Sequence, residues 1–363
     1  MGGILIAMKV VVTGANGHIG SRIVRQLVAS GHPVRGLVRA GADLRSLDGV
    51  GEGLERVVGD VLEPDSLIPL LANATLVFHT AAVFSHQLGE SDGITRTAVE
   101  GTENVLRAAS RVPSIERVVH TSSCAAIGNT RSCDEVRDES PQEVEDGDEV
   151  YRRAKIDSEE LAFGLGRELS LPVVVVNPAV VLGPGDHRPT PSSGIIERFL
   201  VKGSPIYWNG GRSHVDVDDV AQGHILAAER GRGGERYILA GENVTIHESC
   251  RLMSDLTGLA PPRLRVGRAP LWGVGAGLEV LAKLTGTNPI ATREQALAAL
   301  DRFMYYDSSK AVRELGYSFR PAAEVFRRAV AWILTTELVD EPRRSTVRAH
   351  FERVVAQTPE MLI

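Results

Sequence analysis

Short apolar runs alternate with helical patterns through the first half of the chain. The runs predict β-strands at 9–13, 34–38, 54–58, 76–79, 117–121 and 172–176. Apolar residues at helical spacing predict helices between them, at 23–31, 65–71, 97–109 and 151–168. Because the strands are continuously apolar rather than alternating, we expect a parallel sheet covered on both faces. The pattern predicts an α/β fold with a doubly wound, Rossmann-like parallel sheet.

The second half of the chain is less regular. A loop rich in proline and glycine at 181–193 should lie above the carboxyl edge of the sheet, where such sheets bind ligands. A long acidic segment at 129–148 is either a lid or a flexible insertion. Apolar residues at helical spacing in 269–284 predict a helix whose apolar side packs into the core. A substrate wall, a dimer surface and a membrane-leaning face are the alternatives for that helix.

Composition narrows the class of protein. Of 363 residues, 43% are hydrophobic and 24% are charged, which is ordinary for a soluble globular protein. The net charge of −6 offers no basic surface for nucleic acid, and no apolar window approaches the ~18 residues of a membrane span. Cys124, Cys133 and Cys250 lack the spacing of metal ligands, so we expect no metal site and a reducing, cytoplasmic location.

A glycine-rich turn follows the first predicted strand and opens the first predicted helix. Its glycines have the spacing Gly-x-x-Gly-x-x-Gly, from Gly14 to Gly20. Small residues at such a turn let the backbone approach a pyrophosphate, and the helix N-terminus supplies N–H donors. The turn therefore predicts a dinucleotide site. The candidate contacts within it are Gly14, Asn16, Gly17, His18 and Ile19. For the side chain of His18, an exposed position at the helix start is the favoured alternative.

The end of the second strand indicates which dinucleotide is bound. NAD sites usually carry Asp or Glu there, whereas an arginine accommodates the 2′-phosphate of NADP. Arg39 follows the strand, and the first carboxylate after it is Asp43. We therefore expect NADP(H), with NAD(H) as the alternative.

Tyr151 and Lys155 form a candidate acid–base centre. Four residues apart on a helix, their side chains share one face. An ammonium group beside a phenol stabilises the phenolate, so we expect the pKa of Tyr151 to be lowered from its ordinary value of ~10.

Ten short motifs occur in a fixed order between 9 and 334. They are Thr13–Gly20, Gly59–Val61, His79–Ala82, Val99–Thr102, Thr121–Ser123, Tyr151-x-x-x-Lys155, Asn177-Pro178, Gly183–Gly185, Val215–Val220 and Asp307–Lys310. In this order they resemble the extended short-chain dehydrogenase/reductase family. Segments 189–191 and 235–243 are most similar to its dihydroflavonol-reductase-like branch and to bacterial hopanoid-associated sugar epimerase-like proteins.

The resemblance implies a role for each of several residues. Tyr151 would exchange a proton with the substrate oxygen, Lys155 would also bind the nicotinamide ribose, and Ser123 would position the substrate oxygen. The implied cofactor contacts are Asp60 and Val61 at the adenine, Ala81 and Ala82 beside the central part, and Pro178 and Val181 at the nicotinamide. The family also implies a small-molecule substrate and a homodimer formed through two helices per subunit.

The resemblance divides the chain into domains. We expect a dinucleotide-binding Rossmann domain at 8–177 with 214–242 and a smaller C-terminal substrate-binding domain at 178–213 with 243–336. Residues 337–363 form an extension without an assigned role. Ala98 stands where many relatives have an asparagine, which removes that side chain's contacts. Asp218 and Asp219 are expected to cap a helix that begins near Val220.

Three functions remain open. The favoured one is an NADP-dependent reductase or dehydrogenase that interconverts a ketone or aldehyde and an alcohol on a small to medium substrate. The second is an NAD-dependent sugar-nucleotide epimerase or dehydratase that keeps its cofactor bound. Such relatives clamp a pyrophosphate with two arginines, of which only Arg212 is matched, because Arg302 lies too close to the 307–310 motif. The third is a protein that senses NADP(H) without turnover, against which the complete catalytic set argues.

Overall fold

The computed structural model of this protein describes residues 9–82, 91–140, 150–187, 189–285, 297 and 300–357. All statements below concern these residues. Part of the predicted acidic segment, 141–149, lies outside them, as does Arg188 of the proline-rich loop.

Of the thirteen strands in the described residues, the first six coincide closely with the predicted apolar runs, and the other seven were not predicted from the sequence. They are β1 (Val10–Thr13), β2 (Val34–Val38), β3 (Leu54–Val58), β4 (Leu76–His79), β5 (Arg117–Thr121), β6 (Val173–Pro178), β7 (Val180–Leu182), β8 (Ile206–Tyr207), β9 (Gly210–Asp216), β10 (Arg236–Leu239), β11 (Glu242–Thr245), β12 (Leu264–Arg265) and β13 (Arg302–Met304).

The helices lie between these strands and continue after them. They are α1 (His18–Ala29), α2 (Pro64–Leu71), α3 (Ser91–Ala109), α4 (Cys124–Ile127), α5 (Val150–Glu168), α6 (Ser193–Lys202), α7 (Val217–Arg230), α8 (Ile246–Thr257), α9 (Arg268–Thr285), α10 (Ser309–Leu315), α11 (Ala322–Leu334) and α12 (Arg343–Gln357), with a 3₁₀ turn at Arg45–Leu47.

Seven strands form one parallel sheet in the order β10-β6-β5-β4-β1-β2-β3. The strand order reverses between β1 and β4, and this switch point opens a crevice at the carboxyl ends of the strands. The sheet confirms the predicted doubly wound, Rossmann-like fold.

Both faces of this sheet are buried, which explains the continuous apolar runs. Val10 and Val12 point into one core cluster, which α1 and α7 cover. Val11 and Val77 point into the other, which α2, α3 and α5 cover. Consecutive strand residues alternate between faces, so every position needs an apolar side chain.

A second layer is built mainly from the later part of the chain. Strand β9 pairs with β7, β11 and β13, and β8 pairs with β12. Helices α6, α8 and α11 enclose a third core cluster that includes Phe199, Met253 and Phe326. Helix α12, within the expected extension, joins this cluster through buried Val347. The predicted division into two domains stays a prediction.

Two sequence expectations about helices were wrong. Helix α7 begins at Val217, and the Asp216 carboxylate caps it by accepting a 2.8 Å bond from the Asp218 N–H. Asp218 instead pairs with Arg22 at 2.5 Å, and Asp219 pairs with Arg320. The carboxylate that caps the helix lies two residues before Asp218, because residue 216 has the extended backbone of an N-cap whereas Asp218 and Asp219 are already helical.

The second error concerns α9. Its apolar residues do not all pack into the core: Trp272, Val280, Leu281 and Leu284 are 50%, 56%, 55% and 80% exposed.

Candidate active site

The glycine turn packs tightly against the end of β4. Gly14 has a φ of +65°, and a Cβ there would lie 2.8 Å from the Ala81 Cα. A Cβ on Gly20 would lie 2.3 Å from the Gly14 carbonyl oxygen. Gly17 is the N-cap of α1 and offers no side-chain cap. Backbone N–H groups at the start of α1 therefore remain available to an anionic ligand.

Side chains around the turn tie it to its neighbours. The Asn16 amide donates to the Asp43 carbonyl oxygen at 3.0 Å, and Ser46 donates to the Asn16 carbonyl oxygen at 2.9 Å. These bonds hold the segment after β2 against the turn. Ile19 packs against the core below.

His18 is half-buried rather than exposed, so the alternative favoured from the sequence was wrong. Burial lowers the pKa of its imidazole, while the Asp186 charge and a hydrogen bond to the Pro184 backbone oppose that shift. The side chain thus joins the turn to the loop after β7.

Arg39, the residue predicted to bind a 2′-phosphate, lies just after β2. Its side chain is exposed. The Ala15 N–H donates to the Leu37 carbonyl oxygen at 3.2 Å, which brings this end of β2 beside the glycine turn. Among the described residues, no carboxylate or acceptor meets the Arg39 guanidinium. Arg35, on the same strand, is engaged with Glu55 at 2.8 Å.

The expected adenine residues lie at the end of β3. The Asp60 carboxylate accepts from the Leu62 N–H at 3.0 Å, and Val61 is buried. A Cβ on Gly101 would lie 2.8 Å from Val61, so the glycine lets α3 approach this wall. The Asn104 amide also holds the Val61 carbonyl oxygen at 3.0 Å.

The remaining expected contacts line the same edge of the sheet. Ala81 donates its N–H to the Thr13 hydroxyl at 3.3 Å, and Ala82 follows it at an exposed position. Pro178 is buried as the last residue of β6, and Val181 is half-buried on β7. Together with the uncapped helix start and Arg39, these residues fit an extended dinucleotide laid across the carboxyl ends of the strands.

Ser123, Tyr151 and Lys155 meet at this edge, just beyond the end of β5. The Tyr151 hydroxyl hydrogen-bonds the Ser123 side chain. The Lys155 ammonium group lies 5.9 Å from the centroid of the Tyr151 ring and donates to the Thr121 carbonyl oxygen at 3.2 Å. Ser123 is the N-cap of α4 and accepts from the Ala125 N–H at 3.1 Å, which fixes its hydroxyl.

The expected direction of the tyrosine shift was wrong. Burial raises the pKa of Tyr151 to about 12, and the hydrogen bond from Ser123 offsets this only in part. Burial also lowers the pKa of Lys155 to about 8, while the Glu159 charge opposes that change. Loss of solvent disfavours both charged forms, and at this separation the ammonium does not reverse it. Near neutral pH, Tyr151 therefore carries its proton and can donate it.

A buried polar network supports the catalytic set. The Asn177 amide donates to the Ser123 carbonyl oxygen at 3.1 Å and to the Glu159 carboxylate at 2.8 Å. Arg236 of β10 pairs with Glu159 at 3.0 Å. Sequence reasoning noted Asn177 only as part of a motif. The signal for Glu159 was its place on the helix, one turn after Lys155 on the same face.

Two buried histidines beneath Lys155 were also missed. His79 contacts the hydroxyls of Thr13 at 2.8 Å and Thr102 at 3.2 Å, and its ring centroid lies 5.4 Å from that of His120. Burial lowers the pKa of His79 to about 3 and that of His120 well below its ordinary value, with the Lys155 charge contributing. Both imidazoles are therefore neutral near pH 7.

A second cavity lies in the later layer, with a volume of about 200 Å³. Arg212 of β9 and Arg198 of α6 line it, together with aromatic side chains such as Trp208 and Phe326. Burial lowers the pKa of Arg212 to about 10, and the nearby charges of Arg302 and Arg198 add to the effect. Within the described ranges, no carboxylate pairs with Arg212. No metal-holding group of His, Cys, Asp or Glu occurs in those ranges either.

His187, a candidate for substrate contact, lies outside this cavity. Its ring packs edge-on against Trp332 with centroids 4.9 Å apart. The contact fixes the loop after β7 onto α11.

Comparison with known proteins gives consistent relatives. The sequence matches the NAD dependent epimerase/dehydratase family over residues 10–240. A Synechocystis protein with the provisional name dihydroflavonol 4-reductase is 37% identical over 330 residues, covering 88% of this chain and 93% of that protein. Sterol demethylase protein B of Methylococcus capsulatus is 32% identical over 326 residues, covering 90% and 98%. The crystal structure of gox2253 has a TM-score of 0.80 at 35% identity, covering 92% of this chain and 100% of that one.

Proposed function

This chain belongs to the NAD dependent epimerase/dehydratase family and is an oxidoreductase of the extended short-chain dehydrogenase/reductase type, and we propose that it interconverts a ketone or aldehyde and an alcohol with NADP(H). The observation that carries the proposal is the cluster of Ser123, Tyr151 and Lys155 at the same carboxyl edge of the sheet as a tight glycine turn that leaves helix N–H groups uncapped. The names of the two sequence relatives refer to a dihydroflavonol and to a sterol, which are both compounds of several rings. We therefore propose a small to medium organic substrate with an apolar body.

The proposed mechanism assigns proton transfer to this chain's own residues. The bound nicotinamide supplies hydride transfer to or from the carbonyl carbon. In the reductive direction the Tyr151 hydroxyl donates its proton to the developing alkoxide, and the Ser123 hydroxyl hydrogen-bonds the same oxygen. The Lys155 ammonium stabilises the tyrosinate left behind. A tyrosine with a raised pKa is well suited to wait in its protonated form.

Residues around this set hold it in place. Asn177 and Glu159 fix the backbone of Ser123, and the Glu159 charge keeps Lys155 protonated. In the same proposal, Lys155 would also bind the nicotinamide ribose. Pro178 and Val181 would flank the nicotinamide ring, and Asp60 and Val61 would line the adenine pocket.

The preference for NADP(H) rests on Arg39. Its guanidinium is exposed beside the glycine turn, and a planar fork of donors matches a phosphate. We expect Arg39→Ala to weaken NADPH binding about tenfold or more and NADH binding by less than about twofold, because a charge-assisted pair contributes roughly 1.5–3 kcal/mol. Titration of cofactor fluorescence measures both affinities. Arg111, exposed after α3 and therefore at the opposite edge of the sheet, gives the matched control Arg111→Ala. Equal losses for the two cofactors in Arg39→Ala would reject the assignment.

A second candidate function is favoured by the Arg212 cavity. A sugar-nucleotide epimerase or dehydratase needs two cations for the substrate pyrophosphate, and Arg198 of α6 lies beside Arg212 where the sequence offered no second arginine. Such an enzyme returns its hydride within one turnover and retains NAD. Heat denaturation of the purified protein distinguishes the two functions: release of stoichiometric NAD favours the epimerase, whereas free exchange of added NADPH favours the reductase.

The quaternary state and location stay predictions. The homodimer is proposed from the family resemblance, and light scattering after gel filtration tests it. The three cysteines are free, in keeping with the expected reducing cytoplasmic location.

A further inference from the structure

Two buried histidines lie side by side in the sheet, and they differ in their hydrogen bonds. His79 of β4 and His120 of β5 are paired in register, and their ring centroids are 5.4 Å apart. Each ring nitrogen of His79 contacts a threonine hydroxyl, at 2.8 Å and 3.2 Å. Among the described residues, neither ring nitrogen of His120 has a hydrogen-bond partner. Because a fully bonded buried imidazole is held in one orientation, His79 is the member of the pair that can position its neighbours.

The hydrogens of the His79 network can be assigned. The Thr102 hydroxyl donates its one proton to the Ala98 carbonyl oxygen at 2.6 Å, so its oxygen must accept from the Nε2–H of His79. The lowered pKa of His79 keeps its imidazole neutral near pH 7, which leaves Nδ1 as an acceptor for the Thr13 hydroxyl. The Thr13 oxygen in turn accepts from the Ala81 N–H at 3.3 Å. The bonds therefore form a chain with one direction, through Ala81, Thr13, His79, Thr102 and Ala98.

One end of this chain lies at the glycine turn. Thr13 is the last residue of β1 and immediately precedes the turn, and Ala81 is expected beside the central part of the cofactor. A Cβ on Gly14 would lie 2.8 Å from the Ala81 Cα, so the turn and the segment after β4 are in close contact. The Thr80 hydroxyl donates to the Thr13 carbonyl oxygen at 2.7 Å and ties the same two segments together. A rotation of the Thr13 side chain would break its bond to the Ala81 N–H at this contact.

We propose that His79 is a positioning residue of the dinucleotide site. By accepting the Thr13 proton, its Nδ1 fixes the rotamer in which the Thr13 oxygen meets the Ala81 N–H. This bond sets the spacing between the glycine turn and the segment after β4. The inference rests on the proposed function, because it takes the turn to be a dinucleotide site. Since NADPH and NADH have the same central part, the role of His79 should concern both cofactors alike, unlike that of Arg39.

Two substitutions of His79 separate its two hydrogen bonds. The amide oxygen of Asn lies near the position of Nδ1 and can still accept from Thr13, whereas the amide nitrogen of Gln lies near Nε2 and can still donate to Thr102. Each variant loses one buried hydrogen bond, so urea unfolding should show similar decreases in the midpoint. In fluorescence titrations, His79→Gln should raise the Kd of both NADPH and NADH about tenfold, and His79→Asn should raise it by less than about twofold. A purely structural role would change the affinities of the two variants in parallel with their stabilities.

Thr13→Val and His120→Gln complete the test. Thr13→Val removes the hydroxyl and should reproduce the loss seen in His79→Gln. The double variant Thr13→Val/His79→Gln should lose no more affinity than either single variant, because both changes remove one bond. His120→Gln changes a similarly buried imidazole that has no partner among the described residues, so both affinities should stay within about twofold of wild type.

Two results would overturn the positioning role while the wild type still binds its cofactor. One is equal cofactor affinity in His79→Asn and His79→Gln, and the other is a loss in the double variant that equals the sum of the single losses. A wild-type protein that binds neither NADPH nor NADH would refute the proposed function itself, and the role of His79 with it.

Discussion

The crevice of the Rossmann sheet and the Arg212 cavity differ in whether a charged side chain has a partner of opposite charge. In the crevice half, the buried carboxylate of Glu159 is paired with Arg236 at 3.0 Å and accepts a bond from Asn177. In the cavity, Arg212 has arginines for neighbours and, within the described residues, no carboxylate partner. The Glu159 carboxylate in the crevice thus has a partner of opposite charge, whereas the half-buried Arg212 has none among the described residues, and we expect an anionic ligand to supply it.

The two regions also differ in how they are assembled. The glycine turn spans seven consecutive residues, and Tyr151 and Lys155 are one helical turn apart. The cavity, in contrast, draws its lining from α6, β9, α8 and α11. A site built from neighbouring residues can be predicted from their spacing in the sequence, whereas a site built from distant elements cannot.

Removing the Tyr151 hydroxyl should have the largest effect. Tyr151→Phe is expected to lower the turnover rate by about 10²–10⁴-fold, because the alkoxide loses its proton donor. Cofactor affinity should stay within about twofold of wild type, as measured by fluorescence titration. Tyr305→Phe is the control: Tyr305 is buried beside Gly211 in the second layer, and its hydroxyl has no place in the proposed chemistry. Undiminished turnover in Tyr151→Phe would exclude it as the donor.

Two helical glycines, Gly20 and Gly164, show whether close packing or helix propensity determines the effect of adding a Cβ on stability. Gly20→Ala should destabilise the protein by about 2–3 kcal/mol and weaken cofactor binding, since its Cβ would lie 2.3 Å from the Gly14 carbonyl oxygen. A Cβ on Gly164 of α5 meets nothing within 4 Å, so Gly164→Ala should stabilise by about 0.5–1 kcal/mol. Urea unfolding measures both. Similar stabilities for the two variants would contradict the tight turn.

The sheet was predictable because its signals are local and repeated. Strands β2, β4 and β5 have the predicted bounds because their mostly apolar residues are buried in a parallel sheet that is covered on both faces. Strand β3 also has the predicted bounds, although it lies at the sheet edge and none of its residues is fully buried. The pairing of Ser123 with the Tyr151–Lys155 helix followed from the ordered motifs. The raised pKa of Tyr151 could not be predicted in the same way, because it comes mainly from burial, and burial is a property of the folded surroundings.

The later layer was less predictable for the same physical reason. The apolar pattern of α9 matches that of a core helix, and nothing in the spacing shows which neighbours are missing. The sequence around Asp218 and Asp219 is typical of helix caps, but both carboxylates form ion pairs with arginines that are distant in the sequence. Arg198 of α6 and Arg212 of β9 line one cavity, and their spacing in the sequence does not show this.

Acid should destabilise both regions. Burial lowers the folded pKa of His79 and His214 to about 3 and that of His224 to about 4. Between their unfolded value of ~6.5 and these values, the unfolded chain binds protons that the folded chain does not, so stability falls as the pH falls. At pH 5 the loss is roughly 2 kcal/mol for each histidine.

Urea midpoints at about pH 7 and pH 5 measure this loss. His214→Gln should remove one histidine's share of the acid sensitivity from the cavity region while leaving that of His79 in the crevice region. A midpoint that is the same at both pH values would mean that these imidazoles titrate normally.

The smallest expected effect is that of replacing Arg212 on the free energy of unfolding. Whether the protein becomes more or less stable is what distinguishes the two roles of this arginine. Arg212→Met should raise the free energy of unfolding by about 1 kcal/mol, because an uncompensated buried charge is replaced by an apolar side chain of similar length. Arg328→Met should lower it by roughly 1–3 kcal/mol, because Arg328 pairs at 2.7 Å with the fully buried Asp216. Thermal unfolding with and without inorganic pyrophosphate completes the comparison: the anion should stabilise the wild type and not Arg212→Met. If Arg212→Met destabilised the protein as Arg328→Met does, the arginine would be a structural partner rather than a charge awaiting an anion.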